Sequence, residues 1–351
     1  MVRLLVVAGL LWGVLMGSAR GQESDCKQAL VAAEMMVCQD PELLSQERAI
    51  THLYQRILER GDAAIRAEQE SWLAERKRCC DISCVKSLQN YRLQALQSRF
   101  GVMMEYGTAA GQEWQDPVTG IVFVWVPGGT FQMGCGSWSG ECRDDETPAH
   151  TVRVDGFWLG KYEVSQGEWK RLMGKNPSRY ALGENYPVDN VSWLDVQQFI
   201  EKNELINNVR YRLPSSAEWE YACRSGGKEE LYAGGEDLAT LAWYRSNSGR
   251  HPHPVGQKRP NGLGLHDMSG NGWEWVEDAY SNDFYATPQA ILPNPVNRDV
   301  GSGLRVFRGG SWGSEARNLR CTAIHSDWPN DRPRGNGSFR LVREVAVQGP
   351  R

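Results

Sequence analysis

The chain has 351 residues, 41% apolar and 23% charged, so it can bury a core and is not disordered by composition. Its net charge of −4, which becomes −6 if Arg3 and Arg20 leave with the leader described next, excludes a globally basic nucleic-acid binder. Fourteen Trp, about 4% of the chain against roughly 1% in ordinary soluble proteins, and 37 Gly predict a loop-rich domain that buries aromatic plates.

The chain opens MVRLLVVAGLLWGVLMGSARG. One Arg precedes an apolar run from Leu4 to Met16, and Ala19 and Gly21 stand at −3 and −1 of a cleavage after Gly21. Residues 1–21 read as a secretory signal peptide, with a retained anchor helix as the alternative. Cys26 follows Glu-Ser-Asp, which argues against a lipoprotein signal. No later stretch is apolar enough to span a membrane. The expected mature chain is periplasmic, without a membrane span, and peripheral to the outer membrane at most. Its nine Cys then meet an oxidising compartment. Five of them (Cys26, Cys38, Cys79, Cys80, Cys84) precede residue 100, which puts the leftover thiol near Cys79-Cys80. Disulfides are favoured there over zinc, because no His stands near.

Residues 22–100 form the first expected domain, helical almost throughout. Leu43, Ile50, Leu53, Tyr54, Ile57 and Leu58 recur at three-to-four spacing and predict an amphipathic stripe. A second stripe, Ile65, Gln69, Trp72, Leu73 and Arg76, is less apolar, so its outer members are expected in polar contacts. Asp62 is expected to cap that helix, with Gly61 stopping the one before. The pattern Cys26, Glu34, Cys38, Pro41-Glu42-Leu43, Gln69, Trp72, Arg76, Cys84 and Tyr91 resembles the LprI-type domain, a small secreted helical module named for a lysozyme inhibitor. The resemblance keeps lysozyme inhibition open as an alternative role.

Residues 101–117 read as a linker. From Val118 short strands, turns and Trp take over. IVFVWVPGGTFQMG carries a strand-turn-strand signal, and HTVRVDGFWLGKYEVS alternates again. VSWLDVQQFIEKNEL has helical spacing with Ser192 as cap and Asp195 three residues on; SSAEWEYACRSG is a shorter helix capped by Ser215 with Glu218. Arg212-Leu213-Pro214 ends a strand and precedes a helix. Trp219, Trp273 and Trp275 are expected as core plates, and Gly309-Gly310 as a close backbone approach or positive φ.

GGTFQMG, DETPAHTVRVDGFWLGKYEVSQGEW, YPVDNVSW, YRLPSSAEWEYACR, HPVGQKRPNGLGLHDMSGNGWEWVED, RVFRGGSW and GSFRLV follow one another in this order. Together they resemble the formylglycine-generating enzyme (FGE), or sulfatase-modifying-factor, domain over 118–344, leaving 345–351 as a tail. The resemblance implies an α+β chain: a small disulfide-stapled helical domain, then an irregular, loop-rich FGE-like domain similar in outline to C-type lectins.

The family's enzymes oxidise a sulfatase Cys to formylglycine with copper held by two Cys after the Gly-Gly-Ser-aromatic motif. Here Gly309-Gly310-Ser311-Trp312 is followed by no Cys before Cys321. The resemblance pairs Cys321 with Cys223, and Cys135 with Cys142 are expected to pair locally, a displaced reactive pair being the alternative. No copper and no catalytic residue is therefore expected. Copper(I) favours soft thiolates, and this segment offers none. Asp267, Gly270, Gly272 and Glu274 match a calcium site of the family, so one structural calcium ion is expected; two hard carboxylates and turn carbonyls suit that cation. Glu146 also matches a metal-associated acid of the family. The family's other calcium loop is not matched between Trp243 and Pro254. Ser311, Trp312, Arg317 and Arg320 are the candidates for a binding cleft. None of the six His lies in a recognisable catalytic motif. GRHPHPVG sets His251 and His253 two apart, but without a nearby acid or Cys it reads as a loop.

A kept scaffold without copper thiols implies a non-catalytic regulatory or binding protein. An export signal with such a domain resembles the TagR-type periplasmic regulators that act above a membrane-spanning Ser/Thr kinase activating type VI secretion. The expected partner is an envelope protein, such as an exported kinase domain or a lipoprotein, and not nucleic acid. An oxygen-using enzyme with an altered site is the alternative.

Overall fold

The computed structural model describes residues 32–59, 62, 64–103, 107, 109–207, 209–333 and 335–344. The leader, Cys26, Gly61 and the tail lie outside the described residues. The chain divides into two compact units after Glu105.

The first unit holds α1 (Ala32–Gln39), α2 (Pro41–Glu59), α3 (Ala64–Arg76) and α4 (Ile82–Met103). Proline opens α2, where its missing N–H costs nothing, and Asp40 Oδ1 accepts from the backbone of Leu43 (3.2 Å). The expected stripe is inward: Leu43, Ile50, Leu53, Tyr54 and Ile57 are buried, and Leu58 half-buried. The second stripe divides as expected. Ile65 and Trp72 are buried, while Gln69 accepts from Arg92 (2.9 Å) and Arg76 pairs with Glu47. Asp62 accepts from the backbone of Ala64 and Ile65, which makes it the cap of α3. Cys79 is bonded to Cys84 and Cys38 is also in a disulfide. Cys80 carries the free, exposed thiol.

The span expected as a linker is narrower than 101–117. The last turn of α4 runs on to Met103, since one Gly at 101 costs only about 1 kcal/mol in a helix. At its other end β1 (Glu113–Gln115) pairs antiparallel with β2 (Val122–Val126), drawn in by Trp114, whose buried ring lies 5.5 Å from Phe123.

Among the described residues the second unit holds three sheets, joined by loops and helices. One has the order β1-β2-β5-β11-β6, with β5 at Phe157–Gly160, β6 at Tyr211–Arg212 and β11 at Val342–Arg343. Another has the order β10-β7-β8-β9, with β7 at Trp273–Ala279, β8 at Arg305–Arg308, β9 at His325–Asp327 and β10 at Gly337–Phe339. The third pairs β3 (Gly129–Met133) with β4 (His150–Val154). β2 and β3 are therefore separated by Pro127-Gly128 and do not pair with each other. The glycine carries the chain from one sheet to the next, and a Cβ on Gly128 would stand 2.7 Å from the backbone nitrogen of Gly156.

The longer helices of this unit are α5 (Gln166–Met173), α6 (Trp193–Asn207) and α7 (Ser216–Cys223). Each starts on a reciprocal capping box. Ser192 and Asp195 exchange bonds of 2.9 and 3.0 Å at α6, and Ser215 with Glu218 does so at α7. Ser165 with Glu168 opens α5 in the same way, a signal present in VSQGEW. Trp219 and Trp275 are fully buried and Trp273 nearly so; Trp275 stacks on Phe307 at 3.5 Å.

Cys223, at the end of α7, is bonded to Cys321, and Cys135 to Cys142. The first bond closes 98 residues of sequence. Replacing both Cys223 and Cys321 with Ala is expected to lower the unfolding free energy of this unit by about 4 kcal/mol, from the loop entropy returned to the unfolded chain. Urea unfolding followed by Trp fluorescence measures it, since 12 of the 14 Trp lie after residue 100.

Candidate functional site

β10 and β11 belong to different sheets, and only Arg340 and Leu341 separate them. Arg340 therefore sits where the two sheets meet. It is fully buried, and it makes a two-pronged bond to Glu274 of β7: Nε to Oε2 at 2.6 Å and Nη2 to Oε1 at 2.7 Å. It also donates to the carbonyls of Gly160 (2.8 Å) and His266 (2.9 Å). Trp219 Nε1–H donates to Glu274 Oε2 at 2.7 Å. Both oxygens of Glu274 are thus committed within the protein.

The loop DMSGNG, which enters β7, wraps around this pair. Asp267 and Asn271 take φ of 57° and 60°, and Gly270 takes 91°. Gly270 must lack a side chain, because a Cβ there would lie 2.3 Å from the carbonyl oxygen of Trp243. Backbone bonds pin the loop: Gly270 N–H to the Gly309 carbonyl, Asn271 N–H to that of Trp243, and Trp312 N–H to that of Asn271, each at 2.8 Å. Gly309 and Gly310 take φ of 90° and 77°, the positive values expected of them.

Three buried carboxylates converge on one buried Arg. Asp267 Oδ2 accepts from Gly256 (2.7 Å), and Glu163, three residues beyond the end of β5, accepts from Asn271 at Oε2 (2.7 Å). The remaining oxygens, Asp267 Oδ1 and Glu163 Oε1, are buried without a hydrogen-bond partner. Buried acceptors left unpaired are costly. Burial, and then the charges of Asp267 and Glu274, push Glu163 well above the usual carboxylate range. Burial chiefly pushes Asp267 up to about 6. Two orphaned hard oxygens in an electron-rich, dry site fit a hard cation. Of the expected ligand set, Asp267 keeps a free carboxylate oxygen, whereas Glu274 serves Arg340 and Trp219. Glu163 is the acid that the sequence reading missed. Its signal is a carboxylate three residues after the apolar strand FWLG, in KYEVS.

Glu146 is not at this site. It is fully buried and forms a two-pronged pair with Arg320, with both N–O distances 2.7 Å. That pair corrects the expected cleft as well. Arg320 is buried beside Cys135, tying the Cys135–Cys142 loop to the segment at Cys321, because a desolvated guanidinium needs a carboxylate more than solvent access. Ser311 is buried too and bonds Ser314 through its backbone N–H and its hydroxyl. Trp312 is half-buried, with Nε1–H on the Gly335 carbonyl and Tyr180 edge-on at 5.5 Å. Arg317 is exposed and pairs with Glu315. Trp312 and Arg317 remain at the surface; Ser311 and Arg320 are structural.

The four Cys of this unit all lie in disulfides. Among the described residues no three His, Cys, Asp or Glu gather as a metal cluster, and no helix is long and apolar enough to cross a membrane.

Similar proteins agree with this architecture. The chain is 30% identical to the formylglycine-generating enzyme of Streptomyces coelicolor, over 63% of this chain and 88% of that protein. It is 29% identical to the chaperone protein LppX of Paenibacillus barcinonensis, over 54% and 78%. It is also 29% identical to the serine/threonine-protein kinase Pkn1 of Chlamydia trachomatis, over 72% of this chain and 43% of the kinase. Among solved structures, PvdO of Pseudomonas aeruginosa superposes with TM-score 0.60 at 27% identity, over 68% of this chain and all of that one. Treponema denticola variable protein 1 does so with TM-score 0.58 at 25% identity, over 66% and 98%. The model of the sulfatase-modifying factor enzyme 1-like domain matches residues 110–345, and the chain belongs to that family.

Proposed function

We propose that this chain is a non-catalytic binding and regulatory protein of the periplasm, built on an FGE-like domain with an LprI-like helical module before it. The observation that carries the reading is the fate of the cysteines. Copper chemistry of the family's kind needs two free thiols, and Cys135, Cys142, Cys223 and Cys321 are consumed in pairs. Similarity to a serine/threonine kinase supports a place in kinase signalling. On this reading the chain acts upstream of a membrane Ser/Thr kinase that activates type VI secretion, through contact with the kinase's exported domain or a lipoprotein.

One structural calcium ion would be held by Asp267 Oδ1 and Glu163 Oε1 with carbonyl oxygens of Gly270 and Gly272. Arg340 and Glu274 would hold the loop in place. Such an ion supplies positive charge where two carboxylates otherwise repel, and stiffens the loop beneath Trp312.

The test has two arms. The chain is incubated with copper, oxygen and a sulfatase-type Cys peptide, and it is used to capture partners from periplasmic extract. No aldehyde on the peptide and recovery of an exported kinase domain or lipoprotein is the expected result. Stoichiometric copper with turnover, or recovery of sulfatases, overturns it.

A further inference from the structure

His251 and His253 offer no ligand to the site above, although the backbone of His253 is bonded to its Asn271, and both rings are prepared in the same way. His251 Nδ1 lies 2.8 Å from the Pro252 carbonyl oxygen, and His253 Nε2 lies 2.8 Å from that of Ser248. A carbonyl only accepts, so each of these nitrogens carries the proton. His251 is left with a lone pair on Nε2 and His253 with one on Nδ1. An imidazole whose far N–H is anchored on a carbonyl is the usual support of a metal-ligating His.

Spacing agrees. The two ring centroids are 4.6 Å apart with planes tilted by 34°. Two imidazoles at about 2.0–2.1 Å from one cation, subtending about 90–110°, bring their centroids to about 4.5–5 Å. Gly249, at φ 65°, lies beside His251 Nε2, where a Cβ would stand 3.4 Å from that nitrogen. His253 is held from behind. Trp243 stacks on it at 3.7 Å and 13°, and its backbone N–H donates to Asn271 Oδ1 at 3.0 Å. Both rings are half-buried, within reach of solvent. Burial first, then the charges of His251 and Lys258, hold His253 below its ordinary pKa, so it is neutral and able to ligate at pH 7.

We propose that His251 and His253 form a two-imidazole site for a borderline divalent cation of the Zn²⁺ and Cu²⁺ class, bound through His251 Nε2 and His253 Nδ1. Water completes the coordination, since no third His, Cys, Asp or Glu joins them among the described residues. The site touches the loop of Trp312: Ser248, whose carbonyl anchors His253, donates its hydroxyl to the Trp312 carbonyl at 2.8 Å. An occupied site would therefore stiffen the segment on which surface Trp312 stands.

Cu²⁺ is the probe, at one equivalent and pH 7.5, on the full chain carrying Cys80→Ser to remove the exposed thiol, with calcium in excess. Electron paramagnetic resonance is expected to show hyperfine splitting from two imidazole nitrogens, and Zn²⁺ is expected to displace the signal. His251→Ala, whose ring does not stack on Trp243, is expected to remove one nitrogen and weaken Cu²⁺ binding at least about tenfold. His251→Gln serves as the second variant, and near-ultraviolet circular dichroism checks that either remains folded. A wild-type spectrum without two imidazole nitrogens, or a spectrum unchanged in both folded variants, overturns the proposal. Neither result bears on partner capture, so the regulatory reading is tested separately.

Discussion

Arg340→Met is expected to lower the unfolding free energy of the second unit by about 3–5 kcal/mol, the cost of leaving a buried charge without its partner. Arg340 is the cation that faces Glu274 directly, and its charge also opposes those of Glu163 and Asp267. Without it three acids share one dry pocket. Urea midpoints read by Trp fluorescence measure the loss at pH 7. The loss is expected to shrink at pH 5, where Asp267, raised to about 6, takes up a proton and no longer repels its neighbours. The double variant Arg340→Met/Glu274→Met is expected to recover part of the stability, since it removes both members of the pair but leaves Trp219 Nε1–H without its acceptor and Glu163 and Asp267 without their cation. A single variant as stable as the parent, or a double variant no better than the single, contradicts this account.

Local signals were readable in the sequence, and long-range choices were not. The caps at Ser192 and Ser215 follow from residues three apart, and the structure carries both boxes. The Trp plates follow from composition, because rings of that size in a Gly-rich chain must supply the burial. Strand partners do not follow. Residues 122–133 read as strand-turn-strand, but β2 chooses β5 and β3 chooses β4, and nothing within those residues marks the change of sheet. Two of the four cleft candidates, Ser311 and Arg320, are buried for the same reason. Arg320 stands in a charged run after the Gly-Gly-Ser-Trp motif, and its partner Glu146 lies 174 residues earlier. Glu163 joins Asp267 only because the segment after β5 carries it to Asn271 in the loop that enters β7, and Arg340 reaches Glu274 only because β10 and β11 part at that point. The family resemblance carried Asp267 to the site but assigned Glu274 a ligand's role; the protein uses its carboxylate to hold Arg340.

In chelator, stability is expected to fall as pH rises from about 5 to 8, and calcium is expected to recover much of that fall. Burial raises Asp267 to about 6 and Asp278, which accepts from the backbone of Ser216 and Asn297, to about 7. Unfolded carboxylates titrate near 4. Between those values the folded chain holds more protons than the unfolded chain, so stability declines with rising pH across that window. For Asp278 alone the displacement is worth roughly 4 kcal/mol, at about 1.4 kcal/mol per decade of proton affinity. Calcium competes with protons for Asp267 and Glu163 and binds better as pH rises. At a hundred times its dissociation constant it would add about 2.7 kcal/mol. Asp278 sits apart from those ligands, bonded to α7 and Asn297, so its share of the decline is expected to persist in calcium. Thermal unfolding at pH 5, 6.5 and 8, in chelator and in millimolar calcium, separates the two contributions. Asp267→Asn is expected to flatten the chelator profile and abolish the response to calcium, while Asp278→Asn flattens the profile and keeps it. A calcium response that survives Asp267→Asn would place the ion elsewhere, and a profile that rises from pH 5 to 8 in chelator would contradict the raised carboxylates.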